Sequence, residues 1–207
     1  EFELRAVTAW CPSTGMWGAR AQLMADQKRA IPLHELQYFL ADRRADWLLA
    51  FGVALFRSGE YERLRELASF HLERNDEGDA AAGQYLLGLY DVANGRHGAA
   101  LSRHQGVLAA AEKVSYPVLW HLQRADELEE RLGRPRKTCT SFLERFVIAE
   151  KPGLDPRMNP DDVADCLVSV SVPLARTAVR RLRERTARGE LAAGSDTELV
   201  LSGYEKY

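Results

Sequence analysis

The chain has 207 residues, of which 46% are hydrophobic, and a formal net charge of -2 at pH 7. This length and apolar content suffice for one or two buried cores and exclude a wholly disordered chain. The near-neutral charge argues against a protein whose whole surface binds nucleic acid, although it allows a local basic patch. No apolar run reaches the roughly 18 residues that a membrane-spanning helix needs.

The cysteines give a first indication of the compartment. Cys11, Cys139 and Cys166 are odd in number, widely spaced and form no CxxC pair. This pattern predicts neither a zinc ribbon nor a disulfide framework and favours a reducing compartment. No signal peptide opens the chain, so we expect a cytoplasmic protein, or a nuclear one if the source is eukaryotic. The chain begins at Glu1 rather than Met, which favours a fragment or a processed protein and leaves a removed targeting segment open.

The N-terminal part of the chain predicts irregular structure, a candidate short helix over residues 18–30 and a further helix from Pro32. Residues 1–31 place a proline and two glycines beside two tryptophans, which is typical of a structured turn region. Pro32 suits the first position of a helix. Leu33, Leu36 and Leu40 then follow on one apolar stripe. We therefore expect a helix to begin at Pro32.

Three pairs of amphipathic stretches follow, each interrupted by a glycine. Gly59 and Gly95 separate the helices of the first two pairs and lie 36 residues apart, and Gly133 stands in the third pair. Gly52 and Gly88 repeat at the same interval inside the first helix of each pair. Self-similarity at this period predicts stacked helical hairpins, each of which buries its apolar face on its neighbours.

These repeats resemble the tetratricopeptide repeat (TPR) family over about residues 45 to 150. In that family a small residue stands where the two helices of a unit touch, a glycine stands near the turn, and an aromatic residue follows it. The matching positions are Phe51-Gly52, Gly59, Tyr61 and Leu64, then Leu87-Gly88, Gly95, His97 and Ala100. The third stretch departs from the pattern, with Asp126 at the small position and Pro135 at the aromatic one. The resemblance implies an all-α solenoid of antiparallel helix pairs.

The TPR resemblance also implies a binding surface. The first helix of each unit would line a concave groove, and its mixed apolar and charged lining would grip a peptide or a helix of a protein partner. The predicted partner-binding residues are Leu49, Phe56, Arg57, Tyr85, Leu89, Gln123, Glu127 and Arg131. In the alternative interpretation, the apolar members of this set pack against the N-terminal or C-terminal segment of the same chain.

Residues 150–160 predict a domain boundary, because three prolines and a glycine end the helical array there. We therefore expect a repeat domain over residues 1–150 and a small module over residues 151–207. The module resembles a helix-turn-helix with a basic second helix over Leu174 to Arg188, followed by a wing of two strands that ends in TELVLSGY. Helical repeats that end in a winged helix also resemble the PCI-type scaffolds of large eukaryotic complexes, in which this module serves mainly protein assembly.

The basic helix carries a possible second site. Arg176, Arg180 and Arg183 recur at i, i+4 and i+7, on one outward stripe. This geometry can place guanidinium groups against the phosphates or base edges of a nucleic acid. Two alternatives stay open: a solvated helix whose arginines pair with Glu184 or Glu190, and a contact with a protein partner or another subunit.

The sequence contains no recognisable catalytic motif. GxxxxGK[ST], GxGxxG and GxSxG are absent, so we expect no cofactor. His97 and His104 share a helical face without a third ligand, so we expect surface or core-edge histidines and no metal site. We predict a non-enzymatic scaffold or adaptor that binds a protein partner and assembles a complex, without membrane insertion. The alternative is a nucleic-acid-binding regulator that uses the basic helix.

Overall fold

The computed structural model describes residues 27–40, 45–74, 77–114, 116–149 and 163–191. Over these residues the chain forms nine α-helices and one π-helix and no extended strand, which confirms the all-α class. None of the described helices is long and apolar enough to cross a membrane. The chain divides into two compact units, Glu1–Asn94 and Gly95–Tyr207. The solenoid arrangement of helix pairs stays a prediction.

The first unit contains α1 (Gln27–Leu40), α2 (Ala45–Arg57), α3 (Tyr61–Glu73) and α4 (Glu77–Ala93). α1 packs on α2, and α4 packs on both α3 and α2. Apolar side chains from all four helices are buried and form the core of this unit. They include Ala30, Ile31, Tyr38, Leu48, Phe51, Ala54, Leu55, Leu64, Ala68, Ala82 and Leu86.

α1 does not begin at Pro32, as the sequence predicted, but at Gln27. Pro32 lies inside the helix and has no N–H to donate to the carbonyl group four residues earlier. Ala30 and Ile31, which precede the proline, are buried. Because burial of these two residues is favourable, the helix extends from the proline towards the N-terminus. One backbone hydrogen bond is lost there.

Glycines set the turns and the close helix contacts. Gly59 and Gly95 adopt φ angles of 76° and 71°, which confirms that both are turn positions where a side chain would be strained. A Cβ atom at Gly52 would overlap the Leu86 side chain, so a close approach exists there, although its main neighbour is α4 and not the predicted return helix. A Cβ atom at Gly83 would lie 2.8 Å from the carbonyl oxygen of Ala68, so α3 and α4 meet backbone to backbone.

The second unit contains α5 (His97–Ala110), α6 (Tyr116–Arg131), α7 (Lys137–Phe142), a π-helix (Leu143–Ile148), α8 (Ala164–Ser169) and α9 (Val172–Ala187). α6 packs on α5 and α7, α8 contacts α6, α7 and α9, and α9 packs on the π-helix. The buried apolar residues of this unit include Leu101, Leu108, Val118, Leu122, Leu128, Phe142, Leu143, Phe146, Val147, Leu167, Val179 and Leu182.

The predicted C-terminal module is present only in part. α8 and α9, joined by a turn at Val170 and Ser171, form the two helices of the predicted helix-turn-helix, and they pack in the same unit as α5 to α7. Residues 189–191, predicted as a strand, form the turn that ends α9, with Gly189 at a φ angle of 72°. The boundary at residues 150–160 and the segment TELVLSGY lie outside the described residues, so the domain division stays a prediction.

Cys139 and Cys166 form a disulfide that joins α7 to α8, with Cα atoms 5.1 Å apart. This contradicts the prediction of no disulfide. The pairing follows from the packing of α7 on α8, which the spacing of the cysteines along the chain does not reveal. Disulfides are typical of oxidising compartments. The pair therefore counts against the expected reducing compartment, and the cytoplasmic localisation stays a prediction.

Candidate functional site

An apolar groove opens in the second unit between α5 and the continuous segment formed by α7 and the π-helix. Its volume is about 290 Å³. Leu108, Phe142 and Phe146 line it and are buried, whereas Ala109 and Ser141 line it and are exposed. The volume is near the lower end of the roughly 300–1,000 Å³ of small-molecule sites. The groove therefore suits a single apolar side chain better than a whole helix.

Polar contacts cross the groove at the N-terminal end of α7. Nε2 of Gln105 on α5 donates to Oγ1 of Thr138 at 3.1 Å and to Oε1 of Glu129 at 2.8 Å. The buried Glu129 carboxylate also accepts the Thr138 backbone N–H at 3.1 Å and the Thr138 hydroxyl group at 2.8 Å. Because the first N–H groups of a helix lack intrahelical partners, this carboxylate caps α7 from α6. The two walls are thus joined at this end.

Arg145 joins the walls at the other end. Its guanidinium group donates to the carbonyl oxygens of Leu108, Ala109 and Ala111 at 3.1, 2.9 and 2.8 Å. These are unpaired carbonyl groups at the C-terminus of α5, where a cation is favourable. The guanidinium carbon also lies 4.6 Å from the ring centroid of Phe146. Because both ends are fixed, the groove can admit a side chain without rearrangement of its walls.

The π-helix attaches the groove to α9. It continues α7 directly, and π-helical segments occur frequently at functional sites. The Phe146 carbonyl oxygen, near the end of this segment, accepts a hydrogen bond of 3.0 Å from Nη1 of Arg185 on α9. Arg185 is 5% exposed. One buried arginine therefore links the basic helix to a residue of the groove floor.

The groove was not predicted from the sequence. The apolar spacing indicated only that Phe142 and Phe146 are apolar residues of a helix. The missed signal is Arg145, a charged residue beside two buried phenylalanines. A cation at such a position needs a polar target close by, and the target is the end of α5, 34 to 37 residues away in the chain.

The predicted partner-binding residues of the first unit are divided between core and surface. Tyr85 and Leu89 are 4% and 2% exposed, so they are core residues and cannot contact a partner directly. This corrects their assignment to a binding face. The physical reason is that α4 packs on both α2 and α3, which buries a wider face than the TPR resemblance implied. Leu49 and Phe56 are partly exposed, and Arg57 is exposed.

The predicted partner-binding residues of the second unit all lie on the surface of α6. Gln123, Glu127 and Arg131 are exposed and follow one another at four-residue spacing. Glu127 pairs with Arg124 at 2.5 Å. None of the three lines the apolar groove. A concave surface that joins them to Leu49, Phe56 and Arg57 stays a prediction.

α9 exposes two of the three arginines in the predicted basic stripe. Arg176 and Arg180 are exposed and form no ion pair within the described residues, whereas Arg183 is partly buried. Arg181 pairs with Glu184 at 2.8 Å, and Glu190 pairs with Arg185 and Arg188, so arginines of this region pair with both of the predicted acidic neighbours. The opposite face of α9 is buried through Ala175, Ala178, Val179 and Leu182.

A buried polar chain connects three helices of the first unit. The Tyr38 hydroxyl group lies 2.7 Å from Nε2 of His71, and Nδ1 of His71 lies 2.8 Å from the Asp79 carboxylate, which also pairs with Arg74. Burial lowers the pKa of His71, although the hydrogen bond with Asp79 opposes this shift. The neutral imidazole thus donates to Asp79 and accepts from Tyr38. Tyr38, His71 and Asp79 are all buried, so these hydrogen bonds stabilise the core of the first unit.

A histidine pair lies in the core of the second unit. Nδ1 of His104 lies 2.8 Å from Nδ1 of His121, and both residues are fully buried. Such a bond requires one protonated nitrogen and one lone pair, so the two rings adopt opposite tautomers. Burial, and then unfavourable electrostatic interactions with His121 and with the guanidinium groups of Arg124 and Arg103, lower the pKa of His104 to about 2. His104 is therefore not the surface or core-edge residue that the sequence predicted.

Within the described parts of the chain, no group of three or more His, Cys, Asp or Glu side chains could hold a metal ion. No protein-family model, curated protein or solved structure matches the chain. The TPR resemblance therefore depends on the quoted residues alone and stays a prediction.

Proposed function

We propose that the protein is a non-enzymatic adaptor that binds a protein partner and assembles a complex. The observation that supports this best is the apolar groove of the second unit, with its walls joined by Gln105 at one end and Arg145 at the other. An apolar floor bordered by polar side chains suits an apolar anchor from a peptide or a helix. The TPR-like solenoid and the remaining predicted partner-binding residues belong to the same proposal.

The groove favours an anchor through burial and preorganisation. Full burial of a Leu, Met or Phe side chain is worth about 2 kcal/mol. Anchors in desolvated pockets carry most of the binding energy of many interfaces. Gln105, Thr138 and Glu129 already satisfy one another, so an apolar ligand need not break their hydrogen bonds. The exposed Lys137 side chain, which also lines the groove, can pair with a carboxylate beside the anchor.

Two neighbouring alanines provide the test. Ala109 lines the groove, whereas Ala110 is exposed beside it and does not. Ala109→Trp fills the groove, and Ala110→Trp adds the same ring outside it. In quantitative pull-downs from native lysate, we expect a nuclease-resistant partner that the wild type and Ala110→Trp retain and that Ala109→Trp loses by about tenfold. Equal recovery by both variants would remove the groove from the binding mechanism.

A second candidate function, nucleic-acid binding, is favoured by the exposed Arg176 and Arg180. If both contact phosphates, the double substitution to alanine should reduce the slope of log affinity against log salt by about 2. Fluorescence anisotropy with labelled duplex DNA and RNA measures this slope. The matched control is the Lys113→Ala/Arg134→Ala variant, which removes two exposed cations of the same unit outside α9. Absence of binding at low salt would eliminate this candidate.

A further inference from the structure

We propose that α8 and α9 present a second protein-docking site, which binds an acidic peptide segment that carries an apolar residue beside its carboxylates. We call this the Val–Arg surface and define it by Val168, Val172, Arg176 and Arg180. It is separate from the apolar groove, and the proposal does not depend on the groove.

The Val–Arg surface exposes two apolar side chains, and three of its four residues lie along one face of α9. Val168 and Val172 are 68% and 56% exposed, the highest values for large apolar side chains among the described residues. Val172, Arg176 and Arg180 follow one another at four-residue spacing and therefore lie along one face of α9. An apolar contact at the start of this face is thus followed by two guanidinium groups one turn apart.

Among the described residues, the charges of α9 and of the turn after it leave this surface positive. Glu184 pairs with Arg181, and Glu190 contacts both Arg185 and Arg188. The carboxylates of this helix and of the turn after it are therefore engaged by arginines outside the Val–Arg surface. Arg176 and Arg180 have no ion pair within the described residues, so a carboxylate of a partner can bind either guanidinium group in bidentate fashion. Charge complementarity thus selects an acidic partner.

The Val–Arg surface is held in place from behind. The Cys139–Cys166 disulfide attaches α8 to α7, and Arg185 attaches α9 to the Phe146 carbonyl group. Within α9, the Thr177 hydroxyl group donates to the Pro173 carbonyl oxygen at 3.0 Å. A surface with these attachments loses little conformational freedom when a ligand binds.

A protein segment fits this surface better than a nucleic acid or a membrane does. Phosphate groups would use the two arginines but would leave Val168 and Val172 without an apolar partner. Helices that insert into membrane interfaces use larger apolar residues such as Trp, Phe and Leu beside their cations. An acidic peptide with a neighbouring apolar residue uses the two arginines and Val172 on one face of α9, and Val168, four residues before Val172, offers a second exposed apolar side chain.

The experiment is selection of a phage-displayed peptide library on the full chain and on matched variants. We expect the wild type to enrich peptides with paired Asp or Glu residues next to an apolar residue. Arg176→Glu/Arg180→Glu should reverse the charge preference by about tenfold or more, towards Lys and Arg. Val168→Ser/Val172→Ser should retain the acidic preference and lose the apolar one. A merely structural role of these residues would not produce such a reversal.

Controls separate this surface from the others. Lys113→Glu/Arg134→Glu makes the same charge change at exposed positions of the same unit and should select the wild-type peptides. Ala109→Trp fills the apolar groove, so peptides that this variant loses are assigned to the groove and are left out of the comparison, and the remaining peptides should be retained. Enrichment of the same sequences by the wild type and Arg176→Glu/Arg180→Glu would overturn the proposal. Tighter binding to duplex DNA or to phosphatidylserine vesicles than to the selected peptides, unaffected by Val168→Ser/Val172→Ser, would overturn it in favour of those ligands.

Discussion

The two units differ in where their polar side chains form contacts. In the first unit, Tyr38, His71 and Asp79 bond to one another inside the core. In the second unit, His104 and His121 form a similar core contact, and Gln105 and Arg145 also bond across the space between α5 and the α7–π-helix segment. Polar contacts of the first kind only stabilise a core. Contacts across the groove also fix the two walls of the space in which we propose that a ligand binds.

Removal of the disulfide should produce the largest difference in stability between the two units. Cys139 and Cys166 are 27 residues apart, and closing a loop of this length stabilises a fold by about 3.5 kcal/mol in the chain-entropy model. The described residues of the first unit contain no cysteine. Reductant should therefore increase hydrogen exchange, followed by mass spectrometry, in peptides of α7 and α8 but not of α3 and α4.

The Cys139→Ser/Cys166→Ser variant is the control for that experiment, because its exchange should not respond to reductant. Equal loss of protection in both units on reduction would contradict the expected confinement to the second unit. Titration of two free thiols at these positions in the untreated protein would contradict the pairing itself.

Glycine substitutions should change the free energies of unfolding of the two units in opposite directions, by smaller amounts. Gly83→Ala forces a Cβ atom against the backbone of α3, and overpacking of this kind destabilises a fold by about 2.5 kcal/mol. Gly98→Ala in α5 meets open space and should stabilise the helix by about 0.5 kcal/mol. Urea denaturation gives both free energies of unfolding. A loss below about 0.5 kcal/mol for Gly83→Ala would show that α3 and α4 can move apart.

Acid should destabilise both units, because each buries neutral histidine. The pKa values of His34, His71 and His104 are all lowered by burial, so below pH 6.5 the unfolded chain binds protons that the folded chain does not. Stability is complete above that pH and falls as the pH decreases. For His104 the loss is about 2 kcal/mol near pH 5.

Substitution of single histidines shows how much of this pH dependence comes from each unit. His104→Gln should flatten the dependence of the unfolding free energy on pH between about pH 7 and 5 for the second unit. His71→Gln should reduce this dependence for the first unit, where His34 retains the rest. Urea denaturation at several pH values, with hydrogen exchange to resolve the units, measures both slopes. A wild-type stability that rises on acidification would contradict the sign of the effect.

The helices and two of their turns were predictable because they depend on local patterns. Apolar spacing indicates which residues of a helix face a core, and only glycine adopts the positive φ of Gly59 and Gly95 without strain. The start of α1 was not predictable from the same rules. The burial of Ala30 and Ile31 outweighs the local preference of Pro32 for a first helical position.

The candidate site was less predictable because its contacts join distant segments. Apolar spacing shows that Phe142 and Phe146 face a core, but it does not show that α5 is their neighbour or that Arg145 caps that helix. Tyr85 was assigned to a binding face for the same reason, since the sequence does not show that α4 is covered by two helices. The disulfide partners are likewise decided by how α7 meets α8.

The length of the groove has a consequence for how long the proposed partner would stay bound. From Gln105 to Ala109 the groove follows α5 for about 6 Å, one helical turn. If a partner binds there through a single anchor, so short a site would give a brief dwell time. A partner that also carries an acidic segment for the Val–Arg surface would gain avidity, because the second contact forms at a high effective concentration. Assemblies held by two weak contacts release their components one contact at a time, so they can exchange partners without full dissociation.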